Sequence, residues 1–230
     1  MKVSDPIIKK LLLFPLFLLL ASCMQTESLS ENNKPAESPI NQQEAFTSTE
    51  VEQDYGKAFE NAAELQLFLY EDSSTVSFEG EGNEYASYTI KTDWLSDHYV
   101  RYEQDNGGVV LAKYYRIDSD GIYLVDQVAD EAMVKTVTEL ENLPVLSTEL
   151  MAPITIGTTF DGWTITATEA SYTTPYDAFN KVIVLEKQTD TILERQYYVA
   201  GVGAVAYEFE MTDENGEVSM ITSKLALITY

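Results

Sequence analysis

The feature that most constrains the fold is a period-two alternation of apolar and polar residues, repeated between short turns. In residues 85–94 one parity is apolar or aromatic, at Ala86, Tyr88, Ile90 and Trp94. Such alternation predicts a strand that buries one face. At 105–108 the Asn-Gly pair is a strong hairpin signal, since both central residues of that turn type need a positive φ. The chain therefore predicts strands joined by tight hairpins.

Alternation, or in 182–186 and 192–199 an enrichment in β-branched and aromatic residues, predicts strands along most of the chain. They lie at 99–104, 109–117, 122–127, 163–170, 182–186, 192–199, 205–211 and 218–228. Further turns fall at 119–121 and 213–216. Many strands with short connections indicate a mainly β fold of antiparallel meanders, about 71–128 and 154–229. We expect a sandwich or a curved half-barrel, with one or two short helices.

Two segments favour helix over strand. Apolar residues between 54 and 70 lie close to helical spacing, at Phe59, Ala62, Ala63, Leu67 and Tyr70. A helix over 129–140 is the second candidate, although Thr136, Val137 and Thr138 weaken it. Between the strands 192–199 and 205–211, Gly201 and Gly203 predict a tight turn or bulge with positive φ, beside which Tyr198 and Val205 pack into the body.

The N-terminal residues have the layout of an export signal. Lys2, Lys9 and Lys10 precede an apolar run at 11–20, which is too short to span a bilayer. Leu20-Ala21-Ser22-Cys23 then resembles the lipobox of bacterial lipoproteins. The resemblance implies that the thiol of Cys23 carries a diacylglyceryl group and becomes the first residue. Two acyl chains suffice for stable anchoring, whereas one binds only marginally.

The predicted organisation follows from this anchor. Residues 1–22 are the signal peptide, 23–63 the lipidated Cys23 with a flexible acidic tether, and 64–230 a β-rich domain. Removing 1–22 takes away three Lys and one Asp and lowers the net charge from −24 to −26. A chain this acidic repels nucleic acid. We expect a monomer that touches the membrane through the Cys23 lipid, at the outer face of the cell membrane.

A second resemblance concerns the body. Residues 78–87 (Phe-Glu-Gly-Glu-Gly-Asn-Glu-Tyr-Ala-Ser) and 197–205 (Tyr-Tyr-Val-Ala-Gly-Val-Gly-Ala-Val) are similar to motifs of small surface lipoproteins of Firmicutes. Those families usually carry a basic residue or Pro between the Ala and the Gly of the second motif, whereas Ala200 here runs directly into Gly201. The resemblance implies location and fold, and no activity.

The sequence predicts no catalytic, cofactor-binding or metal-binding residue. His98 is the single histidine, and no G-x-S-x-G elbow accompanies it. The segment 118–121 (Asp-Ser-Asp-Gly) fails the EF-hand spacing and fits a hairpin turn. Scattered carboxylates leave weak calcium binding open. With so many acids, a carboxylate pair for glycoside hydrolysis carries little information.

Tyrosines crowd the first meander, at Tyr85, Tyr88, Tyr99, Tyr102, Tyr114, Tyr115 and Tyr123. Cross-strand packing is the simpler interpretation, and an exposed row that stacks on sugars or lines an apolar groove is the other. We expect a non-enzymatic binding or structural domain that meets an envelope or wall component. The alternatives are a hydrolase of wall or extracellular polymers and a half-barrel carrier of a hydrophobic ligand.

Overall fold

A computed structural model describes residues 62–230 of the chain, with side-chain surroundings from residue 64 onward. In this part the chain forms twelve strands and two short helices. The helices are α1 (Ala62–Leu65), which runs into a 3-10 turn at Gln66–Phe68, and α2 (Val137–Leu140). The strands are β1 (Thr75–Glu81), β2 (Tyr88–Ser96), β3 (Tyr99–Asp105), β4 (Val110–Ile117), β5 (Gly121–Ala129), β6 (Ser147–Met151), β7 (Thr159–Phe160), β8 (Trp163–Thr173), β9 (Ala178–Gln188), β10 (Ile192–Val199), β11 (Gly203–Thr212) and β12 (Val218–Thr229).

All described strands belong to one antiparallel sheet. Its order is β6-β5-β4-β3-β2-β1-β12-β11-β10-β9-β8-β7, so the first and last strands pair in the middle. Val76 of β1 lies opposite Ile228 of β12. The two edge strands approach each other where the Thr148 backbone N–H donates to Asp161 Oδ2 at 2.6 Å, beside the end of β7. The sheet is therefore barrel-like and nearly closed.

The predicted mainly β fold class is confirmed, and the strand order decides between the sandwich and the half-barrel. Both meanders lie in one curved sheet, as in the half-barrel, and do not stack as a sandwich. The predicted strand 192–199 coincides with β10, and most of the other predicted strands differ at their ends by a few residues. The strands β1, β6 and β7 were not predicted, because each is short or lacks a long alternating pattern.

The predicted turns form with some changes in detail. At 106–109 only Gly107 has a positive φ, +81°, and the Asn106 side chain instead accepts hydrogen bonds from the backbone N–H groups of Gly108 and Val109. The prediction of a positive φ at both central residues is therefore wrong. Gly201 and Gly203 do have positive φ, +80° and +106°.

The two short helices of the described chain agree with the predicted number, but one of them is shorter than the sequence predicts. The second predicted helix, 129–140, is wrong for most of its length. Strand β5 continues to Ala129, and only Val137–Leu140 is helical. A capping box fixes the start of α2 at Val137. The Glu139 carboxylate accepts hydrogen bonds from Thr136 N–H and Oγ1–H, both at 2.8 Å. In the first predicted helix, the part before residue 62 lies outside the described residues.

Two segments cover the outer face of the sheet. The connection between β5 and β6 packs Leu140 against Tyr99, Tyr114 and Val125 in a small second apolar cluster. The tip of the β8–β9 hairpin reaches over β12, where the Tyr176 N–H donates to the Leu225 carbonyl at 3.1 Å. These covers explain why both faces of several strands are buried, so that a simple alternation is lost there. Cys23 and the predicted tether up to residue 61 lie outside the described residues, and its last two residues, Ala62 and Ala63, belong to α1.

Candidate functional site

The burial of the inward side chains decreases from one end of the barrel-like sheet to the other. Along β4 the inward residues run from buried Ile117 and Tyr115 to the partly accessible Lys113 and Leu111. The same order holds on β10, from Tyr198 to Gln196 and Glu194, and on β11, from Val205 to Tyr207 and Phe209. The interior is therefore closed at one end and accessible at the other.

The segment 65–70 closes the buried end. The side chains of Leu65 and Phe68 are buried among the strands. The Tyr70 hydroxyl donates to the Ala204 carbonyl at 2.8 Å, and the Tyr70 N–H donates to the Tyr102 hydroxyl at 2.9 Å. Gly203 makes room for this contact, because a Cβ on it would lie 2.8 Å from the Tyr70 ring. The glycine was predicted for its φ, and the close approach of Tyr70 is a second reason for it.

Glu149 lies at the centre of the interior among tyrosines. Its Oε1 accepts a hydrogen bond from the Tyr198 hydroxyl at 2.7 Å, which joins β6 to β10 across the sheet. Burial raises the pKa of the surrounding phenols well above the ordinary value, and the negative charge of Glu149 adds to that effect at Tyr70, Tyr88, Tyr102, Tyr115 and Tyr198. These tyrosines are therefore neutral hydrogen-bonding groups at physiological pH.

Lys113 faces the same interior from β4. Burial lowers the pKa of its ammonium group, and attraction to Glu149 partly opposes that shift. The Nζ donates to Gln104 Oε1 at 2.8 Å, and among the described residues it forms no ion pair. Its side chain nevertheless remains partly accessible. Lys113 thus lines a concave surface that water reaches.

We call this accessible part of the interior the cup. It is defined by six inward side chains from five strands, Gln104, Lys113, Glu149, Glu194, Gln196 and Tyr207. The Tyr207 hydroxyl holds Glu194 through a 2.8 Å hydrogen bond to Oε2. Each wall residue is therefore fixed by a neighbour, and the wall offers amide, amine, carboxylate and aromatic groups together.

The outer face carries two ionic clusters with a different character. Arg101 is held by Asp93, Glu103 and Glu131, at 2.8 to 3.1 Å. On the same outer face, in the other half of the sheet, Glu208 accepts hydrogen bonds from the hydroxyls of Tyr172 and Tyr197, both at 2.8 Å. These clusters pin the two outer covers to the sheet, so we assign them to stability.

His98 and the segment 118–121, the candidates for a catalytic histidine and a calcium loop, lie away from the cup. His98 is exposed, and its Nδ1 lies 2.9 Å from the Ile117 carbonyl at the turn between β2 and β3. The segment 118–121 forms the predicted hairpin turn, closed by a hydrogen bond from Asp118 N–H to the Gly121 carbonyl. Within residues 62–230 no three His, Cys, Asp or Glu side chains are grouped closely enough to hold a metal ion.

The tyrosines of the first meander form no single row. Tyr88, Tyr102 and Tyr115 face the interior, Tyr99 and Tyr114 pack beneath the outer cover, and Tyr85 is exposed. Packing within the sheet is therefore the better interpretation for most of them. Sequence reasoning missed Lys113 and Glu149. The parity of Lys113 with Tyr115 and Ile117 was the only local signal for an inward lysine.

Fold and interior together define a protein built on one nearly closed sheet with a polar cup at its open end. No protein-family model matches the sequence, and no curated protein matches it. One solved structure with similarity is a Bacteroides fragilis NCTC 9343 protein described as a candidate exported protein with a YmcC-like fold. The two share 13% identity with a TM-score of 0.42, over 71% of this chain and 98% of the other. No helix within residues 62–230 has the length and apolarity to cross a bilayer.

Proposed function

We propose that this chain is a lipid-anchored, extracytoplasmic binding protein without enzymatic activity, and that its ligand occupies the cup. The observation that carries the binding function is the interior itself, sealed by Tyr70 at one end and lined at the other by accessible polar groups. The anchor rests on the lipobox that ends at Cys23. The described part of the chain begins at the closed end of the sheet, where Leu65 and Phe68 are buried.

The lining of the cup argues against the carrier of a purely hydrophobic ligand. An aliphatic ligand would strip water from Lys113, Gln196 and Glu194 without offering them a hydrogen bond, which costs free energy. Pockets for apolar ligands place only a few polar groups in a mostly apolar wall. Beside apolar residues such as Leu111 and Phe209, the cup carries five charged or amide side chains, so a ligand with polar groups fits it better.

A hydrolase is the second candidate, because two carboxylates, Glu149 and Glu194, face the interior. Each of them accepts a tyrosine hydroxyl, from Tyr198 and Tyr207 respectively. A glycosidase needs one of its two carboxyl groups protonated as a general acid. Within residues 64–230, neither Glu149 nor Glu194 has a contact that marks it as a general acid, so binding is the simpler proposal.

The anchor is tested by Cys23→Ser in the producing cell. We expect the unaltered protein in the membrane fraction in a shortened, lipid-bearing form, and the variant in an unprocessed form or in the medium. Mass spectrometry of the N-terminal peptide identifies the lipid. A variant that remains in the membrane fraction at mature length would show that Cys23 is not the anchor.

The binding function is tested by native mass spectrometry of the protein purified from membranes in octaethylene glycol monododecyl ether. We expect a small molecule bound one to one. Leu111→Trp places a large side chain in the cup and should expel it. Val110→Trp is the matched control, because residue 110 points to the opposite face of β4. Absence of any bound molecule, or equal retention in both variants, would contradict the proposal.

A further inference from the structure

We propose that the cup binds a neutral saccharide, with the amides of Gln104 and Gln196 and the carboxylates of Glu149 and Glu194 meeting its hydroxyl groups. This inference rests on the proposed binding function and names the chemical class of its ligand. It is carried by the set of polar atoms that the fold leaves without a partner inside the sheet.

Among the described residues, the hydrogen bonds inside the cup leave several polar atoms unused. Glu149 and Glu194 each use one oxygen, toward Tyr198 and Tyr207, and keep the other. Lys113 uses one of its three N–H groups, toward Gln104 Oε1, and the Gln104 NH₂ group has no partner. Gln196 meets only Tyr198, so in either orientation of its amide one polar atom remains.

These unused atoms are accessible. In residues 64–230 the single fully buried side-chain oxygen or nitrogen without a hydrogen-bond partner is Thr92 Oγ1. The unused atoms of Gln104, Glu149, Glu194 and Gln196 therefore all reach accessible surface. They belong to side chains on the inward face of the curved sheet and make no hydrogen bonds with one another, so they remain available to a polar ligand.

The mixture of donors and acceptors selects the ligand class. Amide N–H and ammonium groups donate, whereas carboxylate oxygens accept. A hydroxyl group does both, so a molecule carrying several hydroxyls can satisfy every wall group. An anion would meet Lys113 but also the charges of Glu149 and Glu194, on a protein of net charge −24. A cationic ligand would leave the amide donors and Lys113 unsatisfied.

Aromatic rings supply the remaining element of a saccharide site. Tyr88 is inward and partly accessible, and its ring stacks on Phe78 at a centroid distance of 4.7 Å. Phe209 is also inward and partly accessible. Rings of this kind pack against the C–H faces of a sugar while the hydroxyls meet the polar wall.

The first experiment uses the detergent-solubilised protein described above, because that detergent has no sugar headgroup. Immobilised neutral, acidic and amine-bearing glycans are screened for binding, with palmitate and choline as comparators in calorimetry. We expect binding to neutral glycans. Gln104→Ala and Gln196→Ala should each weaken it roughly 5- to 10-fold, as the loss of one or two hydrogen bonds predicts. Gln188→Ala, an exposed site on β9, is the matched control and should bind normally.

A second measurement needs no variant and so does not depend on how the variants fold. Lys113 is labelled with an amine-reactive reagent and quantified by mass spectrometry, with and without the neutral glycan. We expect protection of Lys113 and none of Lys91, whose side chain is 65% exposed. Release of a shortened glycan would indicate the hydrolase instead.

The outcomes separate this inference from the function on which it rests. Binding of palmitate or choline in place of glycans overturns the saccharide and leaves the binding function standing. Glycan binding that neither glutamine variant weakens, or that does not protect Lys113, overturns the cup as its site. Absence of glycan binding while a copurified molecule is present also overturns the inference. Absence of any bound molecule in the native mass spectrum overturns the function itself.

Discussion

The guanidinium Nε of Arg101 lies 3.1 Å from Glu131 Oε2, and the two side chains are only 7% and 5% exposed. Arg101 belongs to strand β3, whereas Glu131 follows β5 in the outer cover. The same carboxylate accepts the Tyr114 hydroxyl at 2.7 Å. This buried pair therefore ties the cover to the sheet.

Removing one member of this pair should be costly. Arg101→Met leaves the buried Glu131 carboxylate with only the longer 3.4 Å contact to Lys135 as a counter-charge, and breaking a buried pair typically destabilises by about 3–5 kcal/mol. For a domain of this size about 1 kcal/mol lowers the melting temperature by roughly 2–4 °C. We expect a fall of at least about 6 °C in a thermal melt. Arg116→Met, which breaks the more exposed pair with Asp118, should change little. Equal effects of the two substitutions would contradict the structural role of the buried pair.

Gly203 and Gly201 allow the cost of backbone strain to be separated from the cost of a steric clash. Both have positive φ, but an added Cβ at Gly201 meets nothing within 4 Å, whereas at Gly203 it lies 2.8 Å from the Tyr70 ring. Gly201→Val should lower the melting temperature by several degrees through backbone strain alone. Gly203→Val should lower it further, because it also displaces Tyr70. If Gly201→Val is the more damaging change, the packing of Tyr70 does not require Gly203.

Lys113 should reduce the stability of the folded protein. Burial lowers the pKa of its ammonium group, so the folded state holds this proton less tightly than the unfolded state does. The penalty is complete below the lowered pKa and disappears as the pH rises toward the ordinary lysine value of about 10.4. Lys113→Met should therefore raise the melting temperature at pH 7, and this gain should shrink as the pH rises toward the ordinary lysine pKa.

Thermal melts of Lys113→Met at several pH values check whether the melting temperature rises, as predicted, and how that rise depends on pH. Lys91→Met is the control, because its exposed ammonium group should contribute little at any pH. A lower melting temperature for Lys113→Met at pH 7 would mean that its attraction to Glu149 and its bond to Gln104 outweigh the cost of burial. Retention of a destabilising lysine is expected where binding needs it.

The predicted tether gives a fourth test. Leu65 and Phe68 are buried in the interior, so the folded core must include them. Brief protease treatment should release a stable fragment that begins between residues 50 and 64. Mass spectrometry of its N-terminus gives the boundary. A resistant fragment that starts near residue 30 would show that the acidic stretch is folded.

Local patterns in the sequence determined the strands and several turns of this protein. The β-branched and aromatic residues of 192–199 mark β10, and the glycines that follow it do have positive φ. Such features depend on neighbouring residues alone, because side-chain parity and φ preference are properties of a short segment. The lipobox is likewise a local motif, and it remains a prediction about Cys23.

Only the tertiary structure decided that the sheet closes and what its interior contains. Strand β1 pairs with β12 across almost the whole described chain, and no local pattern encodes that pairing. Glu149 meets Tyr198 although 49 residues separate them, and β6, which carries Glu149, was not recognised as a strand. Whether an inward lysine or glutamate faces solvent, a covering segment or an enclosed cup depends on how distant strands curve together. The candidate site therefore exists only in the folded sheet, since its groups come from strands that are far apart in sequence.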